Sequence, residues 1–190
     1  MLTLAYIKLC YMAIMANYLV FSFNDDQRRM VHSEARRRQE QNEKQGLKGR
    51  NNAPASGAVA LRLHTLGAAG EMAVASYLGL AGHVFQETTA RRGSCDLPHN
   101  IDVKTRSRHY YDLVVQLDEE PNKILVLVTI ENKETRLHGW IRSQDAMQEK
   151  RRNECVKNRP AYFVPKSELH PLSLLQQCLS AQTSPSTLLA

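Results

Sequence analysis

Residues 94–107 read SCDLPHNIDVKTRS, and their second half alternates apolar and polar side chains. This alternation is typical of a strand with one buried face. Ile101 and Val103 then share one face of the strand, whereas Asp102 and Lys104 lie side by side on the other face. The sequence therefore predicts a strand that presents a carboxylate and an ammonium group together.

The first half of the same segment adds a second carboxylate, that of Asp96. Pro98 and Asn100 predict a tight turn. A strand over residues 94–97 then folds back beside the strand that contains Asp102. Two carboxylates on neighbouring strands attract a hard divalent cation such as Mg²⁺. The alternative is that Asp96 only caps the turn.

A third acid, Glu71, is the one charged residue between Leu66 and Leu80. Residues 58–80 predict a helix, and the side chains one turn away from Glu71 are small or apolar, so this carboxylate lies on the packing face. A carboxylate in that position is costly unless a charge neutralises it. A metal ion would neutralise it; the alternatives are an ion pair with Arg62 or exposure at the helix margin.

The remaining sequence predicts a mixture of helices and strands. A helix, a run of strands, a helix, a strand and a helix follow one another, which indicates an α/β (α+β mixed) fold with a central sheet covered by helices. The predicted strands are 83–87, 94–97, 101–105, 111–117, 123–130, 137–141 and 161–164, and the further helices are 143–152 and 167–179.

The order of these elements and acids resembles the PD-(D/E)XK nuclease superfamily. The motifs that carry the resemblance are GAAGEMAVASYLGL (67–80), SCDLP (94–98) and NIDVKTRS (100–107). The later segments LHGWIRSQDAM (137–147) and RPAYFVPKSEL (159–169) are similar to small nuclease-like proteins of phages. The resemblance implies a restriction-endonuclease-like core of αβββαβ order, with a central mixed sheet flanked by helices. It also implies metal-dependent hydrolysis of phosphodiester bonds.

The resemblance assigns a role to each matched residue. Glu71, Asp96, Asp102 and Lys104 are implied to be catalytic. The three acids, with the carbonyl of Val103, are implied to bind Mg²⁺ or Mn²⁺, and the lysine to assist the attacking water. Basic residues beside this centre are expected to bind phosphates of the nucleic acid; they are Arg91, Arg92, Arg106 and Arg108.

The resemblance also sets expectations for substrate and origin. DNA is favoured over RNA, and the similarity to phage proteins predicts a phage-encoded endonuclease that acts in the host cytoplasm. The alternative is a catalytically inactive nuclease-fold protein that serves nucleic-acid binding or assembly. A homodimer is left open.

The composition agrees with a polyanionic partner. The chain of 190 residues carries 25 Lys and Arg against 19 Asp and Glu, a net charge of +6. This charge favours nucleic acid or an anionic membrane surface. The four cysteines lie far apart without a C-x-x-C pair. This spacing favours a reducing cytoplasm over a disulfide framework, and it does not favour a structural zinc site.

Most of the positive charge lies in residues 28–50. We interpret residues 24–56 as a basic arm or linker that lacks an apolar face wide enough to pack. Two interpretations stay open: a solvated helix or flexible linker, and an arm that follows a phosphate backbone. A nuclease domain is expected over residues 57–180, followed by a tail over 181–190.

Residues 1–23 are largely apolar and long enough for a membrane span, although Lys8 and Asn17 interrupt them. Three interpretations stay open for this segment. It is a membrane anchor, an amphipathic packing helix, or sequence translated from a start codon assigned too early. A membrane is a possible partner only if residues 1–23 are a genuine part of the protein.

Overall fold

The structure is a computed structural model that describes residues 18–46, 56–86, 95–154 and 160–183. The fold is α+β, which confirms the predicted class: helices cover one face of a four-stranded sheet, and a three-stranded sheet covers the other face. The strands are β1 (Leu19–Phe21), β2 (Ile101–Arg106), β3 (Leu113–Gln116), β4 (Ile124–Glu131), β5 (Glu134–Arg142), β6 (Arg152–Asn153) and β7 (Ala161–Val164), and the helices are α1 (Asp25–Lys44), α2 (Gly57–Leu78), α3 (Ser143–Ala146) and α4 (Leu172–Thr183).

Strand β2 is at one edge of the four-stranded sheet, whose order is β1-β5-β4-β2. It runs parallel to β4, with Val103 opposite Val126. Strands β4 and β5 form an antiparallel hairpin, and the second sheet has the order β3-β7-β6. Among the described residues, the outer edge of β2 pairs only through a single bridge between Leu97 and Ile101. Most of that edge is therefore open.

Strand β4 is buried on both faces. Leu125 and Leu127 pack toward the three-stranded sheet, whereas Val126 and Val128 pack toward the helices. A strand covered on both faces has apolar side chains in succession. This explains why the sequence ILVLV in β4 shows no alternation of apolar and polar residues.

Helix α2 packs closely on β2 because a glycine lies at the contact. A Cβ at Gly70 would lie only 1.9 Å from Thr105 Oγ1. That hydroxyl is buried and has no hydrogen-bond partner among the described residues. The close approach brings the next residue of the helix, Glu71, near the edge strand.

Helix α1 packs against α2, which corrects the prediction of a basic segment without a packing face. Val31 and Ala35 of α1 are buried, and the Gln27 side chain donates a 3.0 Å hydrogen bond to Ser76 Oγ of α2. Small and β-branched residues at one face suffice here because a partner helix lies directly against them. Residues of α1 are therefore neither a solvated helix nor a flexible linker. The predicted domain limits themselves stay a prediction.

Two of the predicted strands are wrong within the described residues. In place of a strand over 83–87, Ala81–His83 form a 3-10 helix and Phe85 has a φ of 59°, which is incompatible with a strand. In place of a strand over 94–97, only Leu97 makes a bridge. Pro98 and Asn100, directly after the second segment, favour a turn and end the extended conformation early.

The predicted helix over 143–152 is also too long. Helix α3 ends at Ala146, and a separate 3-10 turn over Glu149–Arg151 follows. The closing helix is shifted: the chain first makes a 3-10 turn over Lys166–Glu168, and α4 begins at Leu172. Pro165 and Pro171 interrupt this region and account for the shift.

Residues 1–17 lie outside the described part of the chain, so all three interpretations of the apolar segment stay open. Its end forms β1, which pairs antiparallel with β5. No helix in the described ranges is both long and apolar enough to traverse a bilayer. Most of the predicted tail, residues 184–190, also lies outside these ranges.

Candidate functional site

Asp96 lies against the open edge of β2. The backbone amide of Val103 donates a 2.7 Å hydrogen bond to Asp96 Oδ2. Ile124 of β4 donates its backbone amide to the carbonyl of Asn100 at 2.8 Å, so Asn100 directs its backbone groups toward β4. Successive residues of a strand direct their backbone groups to opposite sides, so those of Ile101 and Val103 point away from β4. The carbonyl of Val103 therefore faces the same edge as Asp96.

A tight turn delivers Asp96 to this position. His99 and Asn100 have φ values of 62° and 58°, in the left-handed region, where Asn and His are among the more tolerant residues. The Leu97 amide then donates a 3.0 Å hydrogen bond to the carbonyl of Ile101. The turn predicted from Pro98 and Asn100 is confirmed, although it joins a single bridge to β2 instead of two full strands.

Lys104 is held between two carboxylates. Its Nζ donates hydrogen bonds to Asp102 Oδ2 at 2.9 Å and to Glu119 Oε2 at 2.6 Å. Lys123 Nζ lies 3.1 Å from Glu119 Oε1 and 3.6 Å from Asp102 Oδ2. The predicted juxtaposition of Asp102 and Lys104 is thus confirmed, and it belongs to a network of two acids and two lysines.

Glu119 and Lys123 were not predicted from the sequence. Both lie in the turn before β4, where charged residues are ordinary. The pairing of Asp102 with Leu125 places this turn beside the candidate site. The one feature of the sequence that hints at a role for Lys123 is its position directly before an apolar strand. That position does not indicate that Lys123 pairs with Asp102 and Glu119.

Glu71 is buried, as its apolar surroundings predict, and its neutralising partner is an arginine of α1. Arg38 Nη1 donates to Glu71 Oε1 at 2.7 Å, and Arg38 Nη2 donates to Glu71 Oε2 at 2.6 Å. Arg38 Nε also donates to Glu34 Oε1 at 2.6 Å. The alternatives of an ion pair with Arg62 or exposure at the helix margin are therefore both wrong.

The carboxyl groups influence one another. The pKa of Asp96 is raised to about 8, first by burial and then by the negative charges of Glu71 and Asp102 and a hydrogen bond with Asp102, whereas the hydrogen bond from the Val103 amide lowers it. Burial also opposes ionisation of Asp102, but the Lys104 ammonium and the hydrogen bond with Asp96 hold the pKa of Asp102 below its ordinary value. The pKa values of these two neighbouring carboxyl groups are therefore shifted in opposite directions.

The donor set suits a hard divalent cation, since two carboxylates and the carbonyl of Val103 supply the oxygen ligands that such cations take. However, no group of three or more His, Cys, Asp or Glu side chains within the described ranges is arranged to hold a metal. Glu71 is bound by Arg38 and Asp102 by Lys104 instead. The structure brings Asp96, Asp102 and Lys104 together, and the metal stays a prediction.

The predicted phosphate-binding arginines fall into two groups. Arg91 and Arg92 lie outside the described residues. The Arg106 guanidinium lies 4.8 Å from the centre of the Tyr111 ring, whereas Arg108 pairs with Glu131 at 3.1 Å. Of the two described arginines, Arg108 is paired with a carboxylate, so Arg106 is the better candidate for binding an external anion.

Comparison with known proteins adds no family to these observations. No protein-family model, curated protein or solved structure matches the chain. The resemblance to the PD-(D/E)XK superfamily therefore stays a prediction from the sequence motifs.

Proposed function

We propose that the chain is a metal-dependent nuclease of PD-(D/E)XK type that hydrolyses phosphodiester bonds, with DNA as the favoured substrate and internal cleavage as the favoured mode. The observation that carries this proposal is the meeting of Asp96, Asp102 and Lys104 at the open edge of β2. The two carboxylates complement the positive charge of a cation, and the ammonium group beside them complements the negative charge of a phosphate. A phage origin and a cytoplasmic site of action stay predictions.

Asp96 and Asp102, with the carbonyl of Val103, are the groups that would hold Mg²⁺ or Mn²⁺. When bound, such a cation supplies a Lewis acid that stabilises negative charge on the phosphate oxygens. Asp96 must lose its proton before it ligates a cation. Since the pKa of Asp96 is raised to about 8, cation affinity is expected to increase with pH up to that value.

Lys104 supplies a fixed positive charge at the same edge. An ammonium group has three N–H donors, and Asp102 and Glu119 accept two of them. We assign the third donor to the attacking water or to a phosphate oxygen. Arg106 lies two residues further along the same face of β2 and is assigned to a neighbouring phosphate.

A cleavage assay tests this function. The purified chain is incubated with Mg²⁺ and supercoiled, nicked, linear or branched DNA, or with RNA, and parallel reactions contain EDTA. We expect Mg²⁺-dependent cleavage of DNA that Asp102→Asn lowers at least about a hundredfold. Lys133→Gln, in the exposed β4–β5 turn, is the matched control and keeps the wild-type rate. Unchanged cleavage by Asp102→Asn contradicts the assignment.

A second function, nucleic-acid binding by an inactive nuclease fold, is favoured by a different observation. Arg38 and Lys104 already bind two of the acids, and the described residues contain no ready group of metal ligands. An Mn²⁺ titration separates the two functions. Binding of Mn²⁺ that Asp96→Asn abolishes supports the nuclease, whereas DNA binding without any Mn²⁺ binding supports the inactive protein.

A further inference from the structure

Both oxygens of the Glu71 carboxylate are engaged by one guanidinium group. The two hydrogen bonds from Arg38 measure 2.7 and 2.6 Å. The Glu71 side chain is only 7% exposed, and that of Arg38 is 28% exposed. Paired hydrogen bonds of this kind fix geometry and are among the strongest that side chains make. The acid that the superfamily resemblance assigns to the metal is thus already neutralised by the chain itself.

Arg38 is also held from its own helix. Glu34, one turn earlier on α1, is buried and accepts a hydrogen bond from Arg38 Nε at 2.6 Å. Arg37 Nε donates to the same carboxylate at 2.8 Å. Glu34 therefore orients the Arg38 guanidinium toward α2 before any external group binds.

Asp96 and Asp102 differ from Glu71 in how their oxygens are engaged. Lys104 binds Asp102 through Oδ2, and Asp96 Oδ2 accepts from the Val103 backbone amide, whereas Arg38 binds both oxygens of Glu71. At Glu71 a cation would have to approach a carboxylate that a fixed positive charge already occupies. Such an approach is opposed by the repulsion between two cations.

We propose that Arg38 is a positioning residue that occupies Glu71, so that a divalent cation at this site is held by Asp96 and Asp102 without Glu71. The inference rests on the metal-dependent function proposed above. It departs from the role that the resemblance implies for Glu71, which here anchors α1 on α2 beside the site.

Calorimetric titration of the full chain with Mn²⁺ alone tests the inference. Arg38→Gln releases Glu71 and is expected to increase Mn²⁺ affinity at least about fivefold. The gain is expected to disappear when Glu71→Gln is added to Arg38→Gln, because the released ligand is then absent. Arg37→Gln is the matched control, since Arg37 pairs with Glu34, whereas Arg38 binds Glu71. The Mn²⁺ affinity of this variant is expected to stay within about twofold of wild type.

Unchanged or weaker Mn²⁺ binding by Arg38→Gln overturns the inference. If Arg38→Gln fails to fold, Glu71→Gln alone decides, because Gln still accepts from Arg38. We expect it to lose less than about tenfold in Mn²⁺ affinity, and a loss as large as that of Asp96→Asn overturns the inference. Tighter binding by Arg38→Gln together with a wild-type chain that cleaves nothing overturns only the nuclease function.

Discussion

The Asp96 carboxylate and the Val103 backbone amide are joined by a 2.7 Å hydrogen bond across the open edge of β2. The amide would otherwise be an unpaired donor on an edge strand. One side chain thus completes the hydrogen bonding of the strand and stands beside Asp102, the residue before Val103. The local architecture of the edge and the chemistry of the candidate site depend on the same contact.

Asp96→Asn separates these two roles of Asp96. The amide oxygen of Asn still accepts from Val103, so the metal-free protein should fold, but a negatively charged ligand is lost. We expect Mn²⁺ at about a hundred times its dissociation constant to stabilise the wild-type protein by about 2.7 kcal/mol and the variant by much less. Thermal unfolding in Mn²⁺ and in EDTA measures this, and an equal increase in Tm for both proteins would rule out Asp96 as a ligand.

Removal of residues 1–46 tests whether α1 belongs to the folded unit. The deletion exposes the surface that Val31 and Ala35 cover and leaves buried Glu71 without Arg38. Loss of one partner of a buried ion pair costs about 3–5 kcal/mol, so the free energy of unfolding in urea should fall by at least about that amount. Removal of residues 1–17 alone is the control. Equal stability of the two shortened chains would restore the interpretation of α1 as an arm.

The contact between Gly70 and Thr105 makes a prediction about packing. Gly70→Ala places a methyl group where Thr105 Oγ1 lies, and overpacking of this kind costs about 1–3 kcal/mol. Thr105→Ala removes the Oγ1 and Cγ2 atoms from this contact, and with them a buried hydroxyl that lacks a described partner. The double variant should therefore be more stable than Gly70→Ala by at least about 1 kcal/mol. Additive losses in urea unfolding would show that α2 does not depend on this close approach.

His138 makes a prediction about pH. Burial, followed by the nearby charges of Lys166, His109 and Arg136, lowers the pKa of His138 to about 4. The unfolded chain, with a pKa of about 6.5 for this group, therefore binds more protons than the folded chain between about pH 4 and 6.5. Stability from this group is present above about pH 6.5 and is lost as the pH falls through that window.

His138→Gln is the variant that tests this. Its amide can keep the contact that His138 Nε2 makes with Thr129 Oγ1 at 2.8 Å, but it does not titrate. The loss of unfolding free energy between pH 7 and pH 4.5 should be smaller in the variant by about 2 kcal/mol. Parallel pH profiles for the two proteins would contradict the lowered pKa.

The sequence predicts best those features that a single element determines. The alternation in β2 places Asp102 beside Lys104, and the apolar surroundings of Glu71 predict its burial; both are confirmed. Periodicity reports which face of an element is buried, and each of these residues belongs to one element.

Partners contributed by other elements could not be predicted in the same way. Arg38 precedes Glu71 by 33 residues and lies on a helix with few apolar residues, so no local pattern connects the two. Glu119 and Lys123 reach Asp102 only because β2 pairs with β4 in a particular register. Registers and helix contacts depend on the whole packing arrangement, which local patterns do not encode.

The rate at which Lys104→Gln nicks supercoiled DNA in Mg²⁺ tests the central claim most directly. The side chain of Lys104 is held by Asp102 and Glu119 at the site. We predict that wild type and Lys133→Gln nick at the same rate, and that Lys104→Gln is at least about a hundredfold slower while its circular dichroism spectrum is unchanged. Nicking by Lys104→Gln at the wild-type rate would contradict the account.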